Sequence, residues 1–437
     1  MKKFTVLAMA ACLAFALAVP AMAVDVDFSG YYRVRGFYNS NITLNDQTPE
    51  SEAYYDNRFR LQTVFKATDT LSVTTRFDVF DDDNFGAQQE GNIDWDRVYM
   101  TALTDVGMFI IGHQQAGVWG LDVFDDDYND DRIKYVGKSG PVTFGAIIQK
   151  TQEQDSTTAF TADGEADADT DVYYAFGIFK QDNIEAGLLG AYARNNDPSY
   201  TTTVGGIVYT LPGYTMTKQA LLPYWKLAFG PIGFQGEIVW ESGEYDWDSL
   251  VVQDTDISAL SYNVEGSFDL DMAHLYLGWA SVSGQEQAEV VKMISGQGGE
   301  LTIGNASYGG LGDDFNPLAL FTDDMGGKIL NSGVGQIRGV ELLYAGADVT
   351  VNDDLTVSGI IGQANADEAY TGDIDDDYGM EIDVSATYKI MDNLEYSCTL
   401  AYLMTGDLLG YDLGAKTATV DNTDDNFGFM HQIKASF

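Results

Sequence analysis

After its first two dozen residues the chain alternates apolar and polar side chains with period two, and every second connection between the alternating stretches is short. In the first stretch Val26, Phe28, Gly30, Tyr32 and Val34 share one face, while Asp27, Ser29, Tyr31, Arg33 and Arg35 share the other. Leu71, Val73, Thr75, Phe77 and Val79 alternate with Ser72, Thr74, Arg76, Asp78 and Phe80 in the same way. Alternation alone fits a soluble sandwich or a membrane barrel, and the connections separate the two. Thr68-Asp69-Thr70, Thr104 to Gly107, Lys180 to Asn183, Gly230-Pro231, Asn352 to Asp354 and Met391 to Asn393 are short. Ser40 to Tyr55, Gln115 to Asp131, Thr151 to Asp169, Gly284 to Ser332 and Gly406 to Asp425 are long. A sandwich has no reason to keep every second connection short, whereas a bacterial barrel has short periplasmic turns and long extracellular loops.

Eighteen stretches read as strands: 25–38, 57–67, 71–80, 94–103, 108–114, 132–138, 142–150, 171–180, 184–194, 224–230, 232–241, 257–268, 273–283, 336–351, 355–364, 378–390, 394–405 and 426–437. The weakest is 224–230, because Pro223 at its edge has no N–H for a ladder, and Thr203 to Thr210 reads as an extra hairpin within a loop. The expected fold is all-β, a closed antiparallel transmembrane barrel of 16–18 strands with 18 the best count. An even count returns both ends to the periplasm. Lys2 and Lys3, the apolar run Phe4 to Val19 and Ala21-Met22-Ala23 form a cleavable signal peptide over 1–23. The barrel then occupies 24–437, with no linker and no second apolar stretch of about 18 residues that would make a membrane helix. Cys12 would leave with the leader, so Cys398 would have no internal disulfide partner.

The chain carries 23 Lys+Arg against 67 Asp+Glu, a net charge of −44. That excludes nucleic acid as a default partner, since phosphate binding needs basic patches. It does not indicate disorder, because aromatic residues make up 13% and apolar residues 45% of the chain. At the end, Phe427, Phe429, Ile433, Ala435 and Phe437 share one phase, and such a strand would close the barrel against the first. Phe437 as a terminal aromatic resembles the signal read by the outer-membrane barrel-assembly machinery. His431 falls on the same apolar phase and is a misfit there.

The residues resemble the trimeric general porins of Gram-negative bacteria, and most closely the homotrimeric porins of sulfate-reducing bacteria. The resemblance spans the mature chain in patches. It rests on Lys66-Ala67-Thr68-Asp69-Thr70-Leu71 followed by Thr74-Thr75-Arg76-Phe77-Asp78, then Ile111-Gly112-His113-Gln114 and Asp131-Arg132-Ile133-Lys134-Tyr135. Tyr388-Lys389-Ile390-Met391-Asp392-Asn393-Leu394 and Phe437 complete it. It implies a homotrimer, non-specific passage of small solutes and ions, and a third outer loop folded into the pore. Where many general porins carry Pro-Glu-Phe-Gly-Gly in that loop, this chain reads Gly120-Leu121-Asp122-Val123-Phe124-Asp125-Asp126-Asp127, which leaves the path of the loop open.

Arginine placement is the most informative local signal. Of nine arginines, Arg33, Arg35, Arg58, Arg60, Arg76 and Arg97 fall on the lumen phase of four consecutive strands, and Arg132 adds a seventh two strands on. With strands roughly 4.8 Å apart these would form a basic wall. Arg58, Arg60, Arg76 and Arg97 match the family's basic ladder by strand and phase. Asp122, Asp125, Asp126, Asp127, Asp130 and Asp131 in the third long loop would face it, giving a constriction that selects by size and polarity. Two plainer readings stay open: arginines paired only with strand carboxylates such as Asp78 and Asp27, and a solvated acidic loop.

Asp81-Asp82-Asp83, Asp163 to Asp171 and Asp373 to Asp377 fall in outer loops by this reading. They could hold Ca or Mg loosely and bridge to lipopolysaccharide, although no full calcium-loop motif is present. No cofactor and no catalysis are expected: His113, His274 and His431 are far apart, and His113 reads as a polar lumen residue. Gly30 and Gly36 on the outward phase fit either a subunit interface or simple lipid contact. The function these features imply is a passive diffusion channel with weak cation preference. The alternatives are a substrate-specific channel, for which Tyr31, Phe37 and Phe80 on the lumen phase speak, and a structural or adhesive barrel plugged by Gly284 to Ser332.

Overall fold

Alternation becomes twenty-one strands in the computed structural model, which describes residues 25–87, 93–121, 123–124, 128–153, 169–197, 200–204, 207–249, 251–295, 297–302, 311–312, 315–331, 337–370, 375–410 and 423–437. The leader over 1–23 lies outside the described residues. In order the strands are β1 (Asp25–Asn39), β2 (Glu52–Thr68), β3 (Leu71–Asn84), β4 (Ile93–Thr104), β5 (Gly107–Ala116), β6 (Tyr128–Ser139), β7 (Val142–Gln152), β8 (Thr170–Gln181) and β9 (Ile184–Asp197). There follow β10 (Tyr200–Val204), β11 (Ile207–Leu211), β12 (Tyr214–Phe229), β13 (Ile232–Trp247), β14 (Thr255–Asp269), β15 (Ala273–Val282) and β16 (Gly299–Leu301). The last are β17 (Val340–Asn352), β18 (Leu355–Asn365), β19 (Asp377–Met391), β20 (Leu394–Thr405) and β21 (Asn426–Ser436).

Eighteen of them close into one antiparallel barrel, the best count from the sequence. Sequence neighbours pair throughout, β9 joins β12 across the β10–β11 hairpin, and β15 joins β17 across the longest loop. β21 pairs with β1 from Tyr31–Ser436 to Asn39–Gly428. Gly30 and Phe437 exchange both backbone bonds at 2.9 and 3.0 Å, so the terminal residue forms the last rung. Closure leaves no sheet edge, which is what a backbone needs in hydrocarbon. Connections at one end are two or three residues long, and those at the other form the nine long loops.

The phase assignment from the sequence holds for the wall. Phe28, Leu277, Leu343 and Ile382 point outward and are exposed, while Arg35, Glu237, Asn263 and Glu381 point inward and are buried. Strands extend further at the long-loop end than alternation shows. β12 begins at Tyr214, ten residues before the expected start. Its added residues put Thr215, Thr217 and Gln219 on the outward phase, so the apolar-polar contrast that marks a strand is absent there.

His431 loses its status as a misfit. Its ring lies edge-on to Tyr55 and stacked on Phe429, at 5.6 Å in each case. An ideal Cβ on Gly36 would stand 2.5 Å from His431 Nε2 and 2.6 Å from the Tyr55 ring. The glycine therefore makes room for an imidazole within the same barrel.

The lumen departs from the simple wet cylinder of the sequence reading. The seventh outer loop, residues 283–339, starts outside with helix α1 (Gln287–Ile294) and with β16 paired in parallel to Thr255–Ile257 of β14. Its inner part, 315–331, lies inside the barrel. Leu318, Leu320, Phe321, Met325 and Leu330 are buried there against Phe37, Leu342, Tyr344, Tyr378 and Leu403 of the wall. Along β15–β21 and β1 the lumen is thus filled by an apolar core.

Candidate functional site

Both inward loops are tied to the wall by buried carboxylates that accept from loop backbone. Glu381 on β19 takes the N–H groups of Leu320 at 2.6 Å and Phe321 at 2.8 Å, and Asp383 takes that of Ala319 at 2.8 Å. Three successive N–H groups pointing at one acidic pair form an anion-binding nest. On the other side, Glu237 of β13 accepts from Leu121 N at 2.7 Å. Gly120 has a φ of 68°, and a Cβ there would lie 2.6 Å from Glu237 Oε2, so only glycine lets the third loop turn around this carboxylate. None of these three acids stood out in the sequence. The available signal was a carboxylate on the lumen phase within an otherwise apolar strand.

A second anchor follows from Pro223. Rungs between β12 and β13 stop at Leu221–Trp240 and resume at Tyr224–Glu237, around the residue that has no N–H. In this interruption the Leu222 carbonyl accepts from Trp119 Nε1 at 2.8 Å. Pairing between β4 and β5 ends at Val98–His113, whereas β5 and β6 stay paired to Ala116–Tyr128. That unpaired tip carries the third loop across the lumen. The two inward loops then meet, Gly312 N donating to Val123 O at 2.8 Å.

One open space is a cavity of about 390 Å³ along β1–β4. Arg33, Arg58, Arg60 and Arg76 line it, together with Asp78, Asp81, Asp82, Asp94 and Asp96, and Asn129 at its edge. Opposite stand Asn316, Asp323, Asp324 and Lys328 of the seventh loop. The arginines are paired. Arg60 grips Asp78 with Nε at 2.8 Å and NH2 at 2.6 Å, and Arg33 reaches both oxygens of Asp82 at 2.7 Å. Arg58 meets Asp81 and Asp82 at 2.6 Å each, and Arg76 meets Asp96. The two-nitrogen grip of Arg60 on Asp78 fixes the guanidinium orientation as well as the charge.

The acidic partners differ from those expected. Asp81 and Asp82 are not in a solvated outer loop. A bulge between the pairs Asn57–Asp83 and Phe59–Val79 inserts Phe80, Asp81 and Asp82 into β3, with left-handed φ of 54° at Phe80 and 58° at Asp82. Such bulges re-aim side chains, and the ion pairs hold a backbone that bulky residues rarely adopt. Asp122, Asp125, Asp126 and Asp127 of the expected acidic loop lie outside the described residues. Asp130 is buried and accepts from Gln149 at 2.8 Å and Thr151 at 2.7 Å. Asp131 is exposed on the outward phase of β6 with His113, at 3.1 Å. Neither Asp130 nor Asp131 lines the arginine-bearing space, and His113 is not a lumen residue. Their places are taken by Asp323 and Asp324, which sequence reading passed over inside a long loop.

Three arginines also depart from a single wall. Arg35 is buried beneath the seventh loop, clamped by Asp56 at 2.7 Å and Asp324 at 2.9 Å. Arg97 donates to Asn129 at 2.7 Å and Gln115 at 2.9 Å. Arg132 faces a different cavity altogether, because the strand that carries it stands beyond the inward-leaning hairpin tip. Phe37 stacks on Tyr54 at 4.8 Å under the seventh loop and lines no aromatic track.

In the loop, burial raises the pKa of Asp323 above the ordinary carboxylate range. Burial acts on Asp324 in the same sense, but its bond to Arg35 and the Arg35 charge outweigh it and hold that carboxyl low. Among the described residues no group of three or more His, Cys, Asp or Glu side chains is gathered as a metal site would need.

No protein-family model matches the chain, and no curated protein does. Among solved structures it is similar to OprE of Pseudomonas aeruginosa, with 13% identity and a TM-score of 0.51 over 94% of this chain and 98% of that one. OpdQ of the same organism gives the same figures. A BenF-like porin from Pseudomonas fluorescens follows at 12% identity and a TM-score of 0.50, over 94% and 99%. At such identity the shared property is the fold. The chain has the closed 18-strand architecture of these outer-membrane barrels.

Proposed function

We propose that the chain is a passive outer-membrane channel for small hydrophilic solutes and ions. The observation that carries this reading is the open, two-signed cavity along β1–β4, left between a paired arginine ladder and the polar face of the seventh loop. A solute at that level meets guanidinium groups on one side and Asp323, Asp324 and Lys328 on the other. Polar molecules orient in such a field, while apolar ones must displace bound water. Seven carboxylates against five cationic side chains line the space, so its local charge is negative. This supports weak cation preference, with the acidic outer loops enriching cations at the mouth.

The rest of the proposal concerns assembly. The leader directs export and is removed, Phe437 serves as the assembly signal at the closing strand, and the barrel works as a homotrimer in contact with lipopolysaccharide. Divalent cations gather only loosely at the acidic loops. Planar-bilayer recording of the purified protein tests the function. Ohmic steps in threes are expected, together with altered conductance and selectivity in Arg58→Ala and Arg76→Ala. Absence of conductance in correctly folded protein refutes it and favours the plugged, structural barrel, for which the buried seventh loop is the specific observation.

A further inference from the structure

Behind the third loop lies a second lumenal cavity, of about 520 Å³, walled by β6–β9, β12 and β13. It is unlike the charged space on the other side of the loop. Six lumen-phase positions there are aliphatic, Ile147, Val172, Ile178, Leu189, Leu222 and Val239, beside the polar Gln149, Thr151 and Thr170. On β7 and β9, Ile147 and Leu189 stand next to outward Ile148 and Leu188, so both faces are apolar at those points. A plain diffusion pore keeps its lumen face polar. Trp119 forms the roof, with its ring 5.8 Å from Phe176 and 5.3 Å from Tyr224.

Into this apolar chamber β6 places two cations on one face. The Arg132 guanidinium lies 5.4 Å from the Tyr174 ring, and Lys134 Nζ lies 5.9 Å from the Phe176 ring. Arg132 is 8% exposed, its NH1 donates to Gln115 O at 2.8 Å, and its buried Nε has no acceptor among the described residues. Lys134 has no carboxylate within ion-pair distance among the described residues. The other charged groups of the lining, Lys218 and Glu241, are paired at 2.9 Å. Asp130, on the same strand face, is held by Gln149 and Thr151 rather than by Arg132. Two positive charges are therefore left in an oily, aromatic-walled space of ligand size.

We infer that this cavity is a binding site for an apolar organic acid in its anionic form, a single carboxylate on a compact aromatic or branched body. The carboxylate would sit between Arg132 and Lys134, and the apolar body against the aliphatic wall beneath Trp119. Burial of the body drives occupancy, and the two cations decide the sign of the guest. The site lies off the arginine ladder, so an occupant is parked beside the ion path. Its use in transport rests on the channel reading, while binding itself does not.

The test uses the full chain in lipid nanodiscs and ligand-observed saturation-transfer NMR, which reads binding without permeation. The probes are 3-phenylpropionate, 3-phenylpropylamine of the same shape and opposite charge, and succinate with no apolar body. Saturable binding of the first alone is expected. Lys134→Met should weaken it at least fivefold, and Ala191→Phe, which fills the chamber from β9, should abolish it. Both variants should keep the native heat-modifiable band of a folded barrel. Equal binding of the amine, or undiminished binding in both variants, overturns the inference. Loss of ion conductance with retained binding would sink the channel reading alone.

Discussion

Replacing Glu381 by Leu removes the acceptors of two of the three loop N–H groups held by the acidic pair, without opening a large void. Glu381 is wholly buried and accepts from Leu320 N at 2.6 Å and Phe321 N at 2.8 Å. In the variant those two N–H groups stay buried and unpaired while the loop remains inside. Each orphaned group costs about 1–3 kcal/mol, so the inward state loses roughly 2–6 kcal/mol. At about 1.4 kcal/mol per tenfold, the equilibrium between loop-in and loop-out moves by roughly 30-fold to 10⁴-fold. Against this stand Leu318, Leu320, Phe321 and Met325, whose burial contributes about 1.5–3 kcal/mol each. The loop is therefore not expelled outright, and its outward state becomes populated. Single-channel recording should show a larger mean open conductance with added low-frequency noise, and limited proteolysis should show new cleavage within 311–331. Conductance, noise and cleavage all equal to those of the parent would refute the view that Glu381 holds the seventh loop inside the barrel.

Asp82→Asn takes one carboxylate from Arg33 and Arg58, so reversal potentials under a KCl gradient should move toward anions; an unchanged or more cationic potential contradicts the pairing scheme. Lowering pH from 7 toward the ordinary carboxylate range should protonate Asp323 before Asp324, because burial raises the first and Arg35 holds the second low. A raised carboxyl loses its negative charge as pH falls through its raised value, so cation preference should weaken in that window, and Asp323→Asn should remove this step. Trp119→Phe deletes the bond to Leu222 O and should destabilise the inward third loop by about 1 kcal/mol, seen as increased proteolysis of residues 117–124. Deleting Phe437 removes the last rung with Gly30 and should slow the appearance of the folded, heat-modifiable barrel in vitro.

The wall was legible because period two is enforced by two solvents. Along most of each strand one face meets lipid and the other does not, so residues such as Phe28 and Arg35 sort by parity. Legibility ends where that contrast ends. Over Tyr214 to Pro223 the outward phase carries Thr215, Thr217 and Gln219, so the sequence shows no oily face there to mark a strand. The bulge at Phe80 was hidden for another reason. Asp81-Asp82-Asp83 looks like a solvated run, and only the neighbouring Arg33 and Arg58 turn it inward. The third loop was expected inside and lies inside, yet its described residues pack on β12 and β13. Ile147 and Leu189 were the available signal, since lumen-phase positions on those strands are oily. Length alone marks the seventh loop as a candidate plug. Nothing local distinguishes Leu318 to Phe321 from an ordinary apolar turn until Glu381 and Asp383 are placed beneath it.

The acidic surplus then has two separate uses in the barrel. Wall acids such as Glu237, Glu381 and Asp383 are spent on loop backbone, where an N–H finds no water and an apolar side chain offers no acceptor. Asp78, Asp81, Asp82 and Asp96 are spent on guanidinium groups. Between the two inward loops the charged open space lies along β1–β4, where the lumen face carries the ion pairs. A loop face like Leu318 to Phe321 laid over the pairs of Arg58, Arg60 and Arg76 would bury charges at several kcal/mol each, whereas the pair of Arg35 with Asp56, which the seventh loop does cover, gains Asp324 of that loop as a further partner.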